Sequence, residues 1–239
     1  MKTTDPIGLI CAMENEAALL IEALENKTVV RISGNDYYTG TLAGTPAVVV
    51  QCGIGKVNAA RCTQVLIDRF SPRAVINSGI AGGIGENLRV GDIVVAGALV
   101  EHDFDASALG YTKGNVCEGE KTQPTFFRSD PDLVAAVCGT AKRVAPERGV
   151  HTGVIASGDV FVADRATKTE LRSLFNAIAA EMEGAAVAHT ARYAGVPFAV
   201  IRVISDLADG GAPDSYTEFQ TETAACSAKL MLSLAEETA

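Results

Sequence analysis

The sequence has few aromatic residues and lacks the marks of several protein classes. Its 239 residues include no tryptophan, and Phe, Trp and Tyr together make up 5% of the chain. The six cysteines show no CxxC or metal-type spacing, so we expect reduced, mostly buried thiols. No apolar run approaches the ~20 residues that span a bilayer, and residues 1–6 are a polar lead-in without the basic start of a signal peptide. We therefore expect a soluble, cytoplasmic protein.

Positive charge is also scarce. The chain has 20 Lys and Arg against 29 Asp and Glu, a net charge of −9, and its basic residues do not cluster. Because phosphate contacts require clustered Lys and Arg, this argues against nucleic-acid binding. His102 stands among Glu101, Asp103 and Asp105, but these residues share no metal-ligand spacing and no second histidine is near. We therefore expect no metal site.

What the sequence does contain is an even distribution of apolar segments. Hydrophobic residues make up 48% of the chain and no linker interrupts them, which favours one α/β domain over residues 1–239. The patterns predict buried strands over 7–13, 74–78, 93–100, 150–157 and 197–206, and an antiparallel meander over 29–33, 37–42 and 46–52. They predict helices over 14–25, 57–70, 131–144, 164–175, 183–194 and 215–235. Residues 106–127 form a long loop, either a lid or an interface segment.

Two stretches collect carboxylates where apolar runs end, and we interpret them as the catalytic centre. Residues 179–188 (AAEMEGAAVA) follow a run that periodicity alone assigns to neither strand nor helix. Glu183 lies in the first turn of the next helix, where the helix dipole favours a charged carboxylate at neutral pH. Arg202 and Asp206 have the same parity in the last strand, which predicts one face for both. Asp206 ends that strand, where α/β sheets bind ligands.

Other strand exits carry weaker signals. Glu16, after the first strand, either complements a helix dipole or joins the site. The glycine-rich stretch 79–85 contains Ile80 and Ile84, which favours a ligand-lining loop over a flexible one. Phe161 is placed either to stack on a planar ring or to fill the core. The GIGK at residues 53–56 lacks the GxxxxGK[ST] spacing and indicates a tight turn, not a phosphate-binding loop.

Seven motifs carry a resemblance that covers nearly the whole chain. They are MENE at 13–16, CGIGKVNAA at 52–60, NSGIAGG at 77–83, GDIVV at 91–95, SGDVF at 157–161, EMEGAA at 181–186 and RVISD at 202–206. In this order they resemble the 5′-methylthioadenosine/S-adenosylhomocysteine nucleosidases of the nucleoside phosphorylase superfamily. The resemblance implies a single domain with a central mixed, twisted sheet flanked by helices. It also implies a homodimer that needs no cofactor and hydrolyses the bond between adenine and a 5′-thio-substituted ribose.

The resemblance implies roles for particular residues. Glu16 is similar to the general base that activates water, Asp206 to the acid that protonates adenine N7, and Arg202 to the residue that holds Glu16 and the water. The implied substrate-binding residues are Ala81, Gly82, Phe161, Val162, Glu181, Met182, Glu183, Ser205 and Tyr216. Among them, Phe161 and Val162 would form the adenine pocket, and Met182 and Glu183 would contact the ribose.

Elementary chemistry agrees with these roles. Cleaving an N-glycosidic bond builds positive charge on the sugar and negative charge on the leaving purine, so the site needs an acid near the base and a carboxylate near the ribose. Asp206 must therefore be protonated at neutral pH, which requires a raised pKa, while Glu183 must be ionised.

The chain also departs from the family pattern. Ile80 stands where several members have serine, Leu109 where we expect an aromatic residue from a neighbouring subunit, and Tyr216 where phenylalanine is frequent. A hydrolase for another 5′-modified nucleoside, such as futalosine, is the nearest alternative. A phosphorylase is disfavoured because neither the first strand exit nor the glycine-rich stretch offers an arginine for phosphate, apart from Arg89 further on. A non-catalytic nucleoside-binding protein is the alternative from a different class.

Overall fold

A mixed β-sheet forms the centre of the protein in a computed structural model, which describes residues 5–209 and 211–237. In chain order its strands are β1 Ile7–Cys11, β2 Glu25–Ile32, β3 Asn35–Leu42, β4 Thr45–Gln51, β5 Ala74–Gly83, β6 Ile93–Glu101, β7 Phe127–Arg128, β8 Val150–Ser157, β9 Ala177–Glu181 and β10 Phe198–Asp206. The helices are α1 Glu14–Ala23, α2 Lys56–Phe70, α3 Pro131–Val144, α4 Arg165–Phe175, α5 Gly184–Tyr193 and α6 Ala212–Glu237.

Part of the sheet closes on itself. Strand β10 pairs in parallel with β5 on one side and antiparallel with β6 on the other, and β8 and β9 complete a ring back to β5. The ring closes through two residue pairs, Gly82 with Ala180 and Gly83 with Ala179. Strands β1, β4, β3 and β2 extend outward from β5. The closure brings the ends of β5, β9 and β10 together.

Helices cover both faces of the sheet. Ala59 and Leu66 of α2 and Val187 of α5 belong to one buried apolar cluster, whereas Leu20 of α1 and Met231 of α6 belong to another. Burying these faces supplies the main stabilisation, about 25 cal/mol per Å² of apolar surface. The expected α/β domain with a central mixed sheet flanked by helices is therefore confirmed.

Within the described residues, no helix is both long and apolar enough to cross a membrane.

Local signals predicted several elements closely. Helix α3 and strand β8 have the predicted bounds. Asp164 caps α4 as expected, because its side chain accepts a hydrogen bond from the Thr167 backbone N–H. The meander β2–β3–β4 is antiparallel, as predicted. These features depend on near neighbours along the chain, which a sequence pattern contains.

Three expectations are corrected by long-range contacts. Strand β5 continues to Gly83, so residues 79–83 are strand and not loop, because β10 pairs with residues 79–82 and β9 pairs with Gly82 and Gly83. The run before Glu183 is a strand, β9, and Glu183 precedes α5 at its N-cap instead of lying in its first turn. A register shift between Ile204 and Asp206 breaks the strict alternation on which the parity argument for Arg202 and Asp206 depended.

Candidate active site

A cavity of about 600 Å³, open to solvent, lies where the ends of β5, β9 and β10 meet. The predicted site residues that line it are Glu16, Ala81, Gly82, Phe161, Val162, Glu181, Met182, Glu183, Ser205, Asp206 and Tyr216. Ala12, Met13, Ile54 and Val160 also line the cavity, although the sequence patterns did not place them in the site. Ala12 and Met13 directly follow β1, and Ile54 lies three residues after β4, so the strand-end rule could have found them.

Glu16 reaches from α1 across to the neighbouring strand. Its side chain is buried and accepts hydrogen bonds from the backbone N–H groups of Ala12 at 2.9 Å, Met13 at 2.9 Å and Ile80 at 3.1 Å. Burial raises the pKa of Glu16, while the charge of Arg202 and these three N–H donors oppose the rise. The carboxylate is therefore held by the cavity wall and does more than complement the helix dipole.

Asp206 is held at the end of β10. The Ser205 hydroxyl donates to its Oδ2 at 2.9 Å, and the Ala208 N–H donates to its Oδ1 at 2.8 Å. The side chain is buried, and desolvation raises the pKa of Asp206, whereas these two hydrogen bonds and the charge of Lys168 lower it. The net rise has the direction that a general acid requires.

Two glycines of β5 leave room for the two carboxylates. A Cβ at position 79 would lie 2.6 Å from Oε1 of Glu16, and a Cβ at position 82 would lie 3.0 Å from Oδ1 of Asp206. The first separation is shorter than real Cβ atoms show, and the second would require the Asp206 carboxyl group to shift, so both glycines leave room for the carboxyl groups. The glycine-rich stretch thus lines the site as predicted, although as part of a strand.

Arg202 differs from its predicted place. Its side chain is 1% exposed and lies behind the cavity, where Nη2 donates to Asn77 Oδ1 at 2.5 Å and forms an ion pair with Glu181. A second carboxylate, Glu183, has Oε2 at 3.9 Å from the same nitrogen. Arg202 therefore holds Glu181 and not Glu16. Arg202 acts on Glu16 only through its positive charge, which lowers the pKa of Glu16.

Glu181 organises the start of α5. Its carboxylate accepts from the N–H groups of Glu183 at 3.1 Å and Gly184 at 2.8 Å, and from the Ser157 hydroxyl. Since the first N–H groups of a helix have no partner within the helix, Glu181 supplies one and complements the dipole. Together with the ion pair to Arg202, these bonds fix the backbone that carries Met182 and Glu183.

Glu183 does not behave as the sequence predicted. Its Oε1 accepts from the Gly55 N–H at 2.9 Å, but the side chain is only 6% exposed. Burial first, and the charge of Glu181 second, raise the pKa of Glu183 to about 7. The expected stabilisation by the helix dipole, roughly 0.3–1 kcal/mol, is outweighed by this desolvation. Burial therefore opposes the full ionisation at neutral pH that the helix dipole predicted.

Aromatic and apolar side chains form the rest of the wall. Phe161 is 46% exposed, so it is not core filler, and its ring meets that of Tyr216 edge-on with centroids 5.6 Å apart. The Tyr216 hydroxyl donates to the sulfur of Met13 at 3.1 Å. Ile80 places an apolar side chain in the cavity beside Glu16.

Within the described residues, no cluster of three or more His, Cys, Asp or Glu could hold a metal ion.

The fold and this cavity define the class of protein. The family model of the phosphorylase superfamily matches residues 6–238, so the chain belongs to that superfamily.

Comparison with relatives narrows the assignment. The chain is 39% identical over 232 residues to the 5′-methylthioadenosine/S-adenosylhomocysteine nucleosidase of Pseudoalteromonas translucida, with 97% of each chain covered. The same enzyme from Anoxybacillus flavithermus is also 39% identical, with 97% of this chain and 98% of the relative covered. The chain therefore belongs to the 5′-methylthioadenosine/S-adenosylhomocysteine nucleosidase family and is a glycosidase-type hydrolase.

Solved structures agree with this assignment. The nucleosidase of Neisseria meningitidis in complex with methylthio-immucillin-A superposes with a TM-score of 0.91 at 39% identity, covering 98% of this chain and 99% of that one. The S-adenosylhomocysteine nucleosidase of Streptococcus pyogenes in complex with 5-methylthiotubericidin gives a TM-score of 0.91 at 36% identity, covering 99% and 98%. The fold is thus that of enzymes solved with nucleoside analogues.

Proposed function

We propose that the protein hydrolyses the N-glycosidic bond of 5′-methylthioadenosine and S-adenosylhomocysteine, releasing adenine and the corresponding thioribose. The observation that carries this proposal is the convergence of three buried carboxyl groups on one cavity. Glu16, Glu183 and Asp206 come from three separate elements and all line it. Relatives at 39% identity that bear the name of this activity support the same substrates.

Asp206 acts as the general acid in this mechanism. As the bond breaks, negative charge develops on the purine, and a proton delivered to N7 neutralises it. Burial raises the pKa of Asp206, which favours the protonated form that this step requires. The hydrogen bonds from Ser205 and Ala208 hold the carboxyl group at the cavity wall.

The two glutamates act on the sugar. Glu183 places negative charge where the ribose becomes positive, and this attraction strengthens in the dry cavity. Glu16 takes a proton from the attacking water. Its three backbone donors fix the carboxylate and leave it facing the cavity. Arg202 supports this arrangement from behind by binding Glu181, which in turn holds the backbone of Glu183.

Adenine release tests the proposal. Purified protein incubated with methylthioadenosine in phosphate-free buffer should liberate adenine, and added phosphate should not increase the rate. Glu16→Gln and Asp206→Asn should each reduce kcat about 10²- to 10⁴-fold, since each removes a proton-transfer group. Turnover by both variants at the parent rate would refute the assigned roles. Comparing adenine with hypoxanthine release separates this activity from that of a futalosine-type hydrolase.

We also propose a homodimer. Three apolar side chains that line the cavity are well exposed in the single chain: Ile54, Val160 and Phe161, at 46–53%. Val57, in the first turn of α2, is 76% exposed. Leu109 is 70% exposed, as expected for a residue that contacts a neighbouring subunit. Light scattering on the purified protein tests the assembly, and a monomer at micromolar concentration would contradict it.

A cytoplasmic location and a single nucleosidase domain over residues 1–239 complete the proposal. All six cysteines are free thiols, which suits a reducing compartment. The family match over residues 6–238 supports one domain. Fractionation of cells that express the protein, followed by immunoblotting, checks the location. Limited proteolysis checks the domain, because a single domain should yield no stable half.

A further inference from the structure

One lysine outside the cavity joins the two strand ends that carry the acid. Lys168 lies on α4, half-buried, and its Nζ donates to the backbone oxygen of Leu207 at 2.6 Å and to that of Gly83 at 3.2 Å. Leu207 directly follows Asp206 at the end of β10, and Gly83 is the last residue of β5. The ammonium therefore bridges two adjacent strands at the point where their pairing stops.

We propose that Lys168 is a positioning residue for Asp206, holding the ends of β5 and β10 together so that the acid stays beside Gly82. This inference rests on the proposed function, in which Asp206 protonates the leaving purine. Lys168 itself lies outside the cavity lining, so its effect on the reaction passes through Asp206.

The backbone connections show why the bridge matters. The Ala208 N–H, which holds Asp206 Oδ1 at 2.8 Å, belongs to the peptide whose carbonyl oxygen is that of Leu207. Lys168 therefore binds one end of the peptide group whose other end holds the acid. On the opposite strand it binds the residue after Gly82, whose missing Cβ makes room for Asp206. The β10–β5 register is irregular between Ile204 and Asp206, so the ladder alone does not define this geometry.

Helix α4 also connects the bridge to the opposite wall of the cavity. The segment with Phe161 and Val162 leads directly into this helix, whose start Asp164 caps. Lys168 lies one turn inside, and its own N–H donates to the Asp164 carbonyl at 3.1 Å. The apolar wall and the acid are thereby tied to one helix. A shift of about 1 Å in such a group can cost about 10²-fold in rate.

The charge of Lys168 adds a second, separable effect. Lys168 lowers the pKa of Asp206 and Asp209 raises it, while Arg165 and Arg172 of α4 act on Lys168 itself. Without the ammonium, the pKa of Asp206 rises further, so the acid stays protonated to higher pH. It also transfers its proton less readily, because a weaker acid is a poorer proton donor.

The groups that face Asp206 come from several elements. On its own strand end they are Ser205 and Asp209, from α4 Lys168, and from α6 Tyr216, whose pKa is raised by burial and by the charges of Glu16, Glu183 and Asp206. Substitution of Lys168 changes one of these groups and leaves the others in place. The alkaline limb of the kcat/KM profile reports the acid in the free enzyme, so it measures this change.

The test compares pH profiles of methylthioadenosine hydrolysis for wild type, Lys168→Met, Lys168→Gln and Lys168→Arg. We expect Lys168→Met to lower kcat about 10-fold or more and to move the alkaline limb to higher pH. Lys168→Gln keeps a hydrogen-bond donor without the charge. It should therefore shift the alkaline limb as far as Lys168→Met does, but reduce kcat less. Lys168→Arg keeps the positive charge, so its alkaline limb should stay at the wild-type pH. If Lys168→Met fails to fold, the Gln and Arg pair still decides the question.

Arg172→Met is the matched control. It removes one positive charge from the same helix, one turn further on, where Arg172 pairs with the exposed Glu86. Its kcat and alkaline limb should match those of wild type. The inference is overturned if Lys168→Met and Lys168→Gln keep the wild-type kcat and limb, or if Arg172→Met moves the limb as far. Absence of adenine release by wild type would instead refute the proposed function.

Discussion

At the residue scale, Gly79 decides whether Glu16 can occupy its place. Gly79→Ala would set a Cβ 2.6 Å from Oε1 of Glu16. We predict that this single methyl group displaces the carboxylate and lowers kcat about 10²-fold or more, since a misplaced base loses its proton-transfer geometry. Steady-state rates of adenine release check the prediction.

Gly139→Ala provides the matched control for that variant. Gly139 lies inside α3, and a Cβ there would meet no atom within 4 Å. Alanine should therefore leave kcat unchanged and raise the free energy of unfolding by about 0.5–1 kcal/mol, because glycine is the poorer helix former. Equal activity of Gly79→Ala and Gly139→Ala would show that the space beside Glu16 is not needed.

Glu183 gives the activity a pH dependence. Its pKa of about 7 means that the group is protonated below neutral pH, when it can no longer stabilise a positive ribose. We predict that kcat/KM falls as the pH drops below about 7. Glu183→Gln should be less active and should lack this part of the profile. A wild-type profile that is flat between pH 5 and 7 would contradict the assignment.

At the element scale, Lys56 joins the start of α2 to the rest of the site. Its Nζ donates to Glu101 at 3.0 Å and to Asp103 at 2.6 Å, and its N–H donates to Asp159 at 2.8 Å. The preceding residue, Gly55, holds Glu183. The start of α2, the end of β6 and the segment before Val160 are thus connected through one lysine.

Lys56→Met should therefore affect both stability and substrate binding. It leaves two part-buried carboxylates without their cation, which should lower the free energy of unfolding by about 1–3 kcal/mol. The Lys56 N–H bond to Asp159 remains, but Asp103, which accepts from the Asp159 N–H, loses its tie to the start of α2, so KM should rise several-fold. Urea denaturation and initial rates measure the two effects. Lys142→Met, at an exposed position of α3, is the control and should change neither.

At the scale of the whole molecule, the buried carboxyl groups make stability depend on pH. Burial raises the pKa of Glu183 from 4.5 to about 7. Between these values the folded state holds a proton that the unfolded state has lost, so this contribution to stability is complete below about pH 4.5 and is lost as the pH rises through 7. Glu101 and Asp103 act oppositely, because their pKa values are lowered and their contribution is lost in acid.

Glu183→Gln should consequently stabilise the free protein above pH 7. The substitution removes a charge that is costly to bury, and the gain should be of order 1–3 kcal/mol at pH 8 and below about 1 kcal/mol at pH 5. Thermal melting at the two pH values measures the difference. A variant less stable than wild type at pH 8 would show that the charge of Glu183 is well compensated. Higher stability with lower activity is the expected cost of a functional buried charge.

The amino-acid sequence by itself determined what depends on near neighbours. Apolar runs and capping residues defined β8, α3 and α4, because periodicity and helix ends involve residues a few positions apart. The ends of parallel strands meet at one edge of a sheet, so the positions of Glu16 and Asp206 after strands were enough to predict a shared cavity.

Only the tertiary structure decided what depends on distant partners. The pairing of β10 with both β5 and β6 closes the ring, turns the glycine-rich stretch into strand and shifts the register before Asp206. The partner of Arg202 and the proton affinity of Glu183 are also non-local, since ion pairing and desolvation depend on which side chains surround a group after folding. Spacing along the chain contains no measure of that environment.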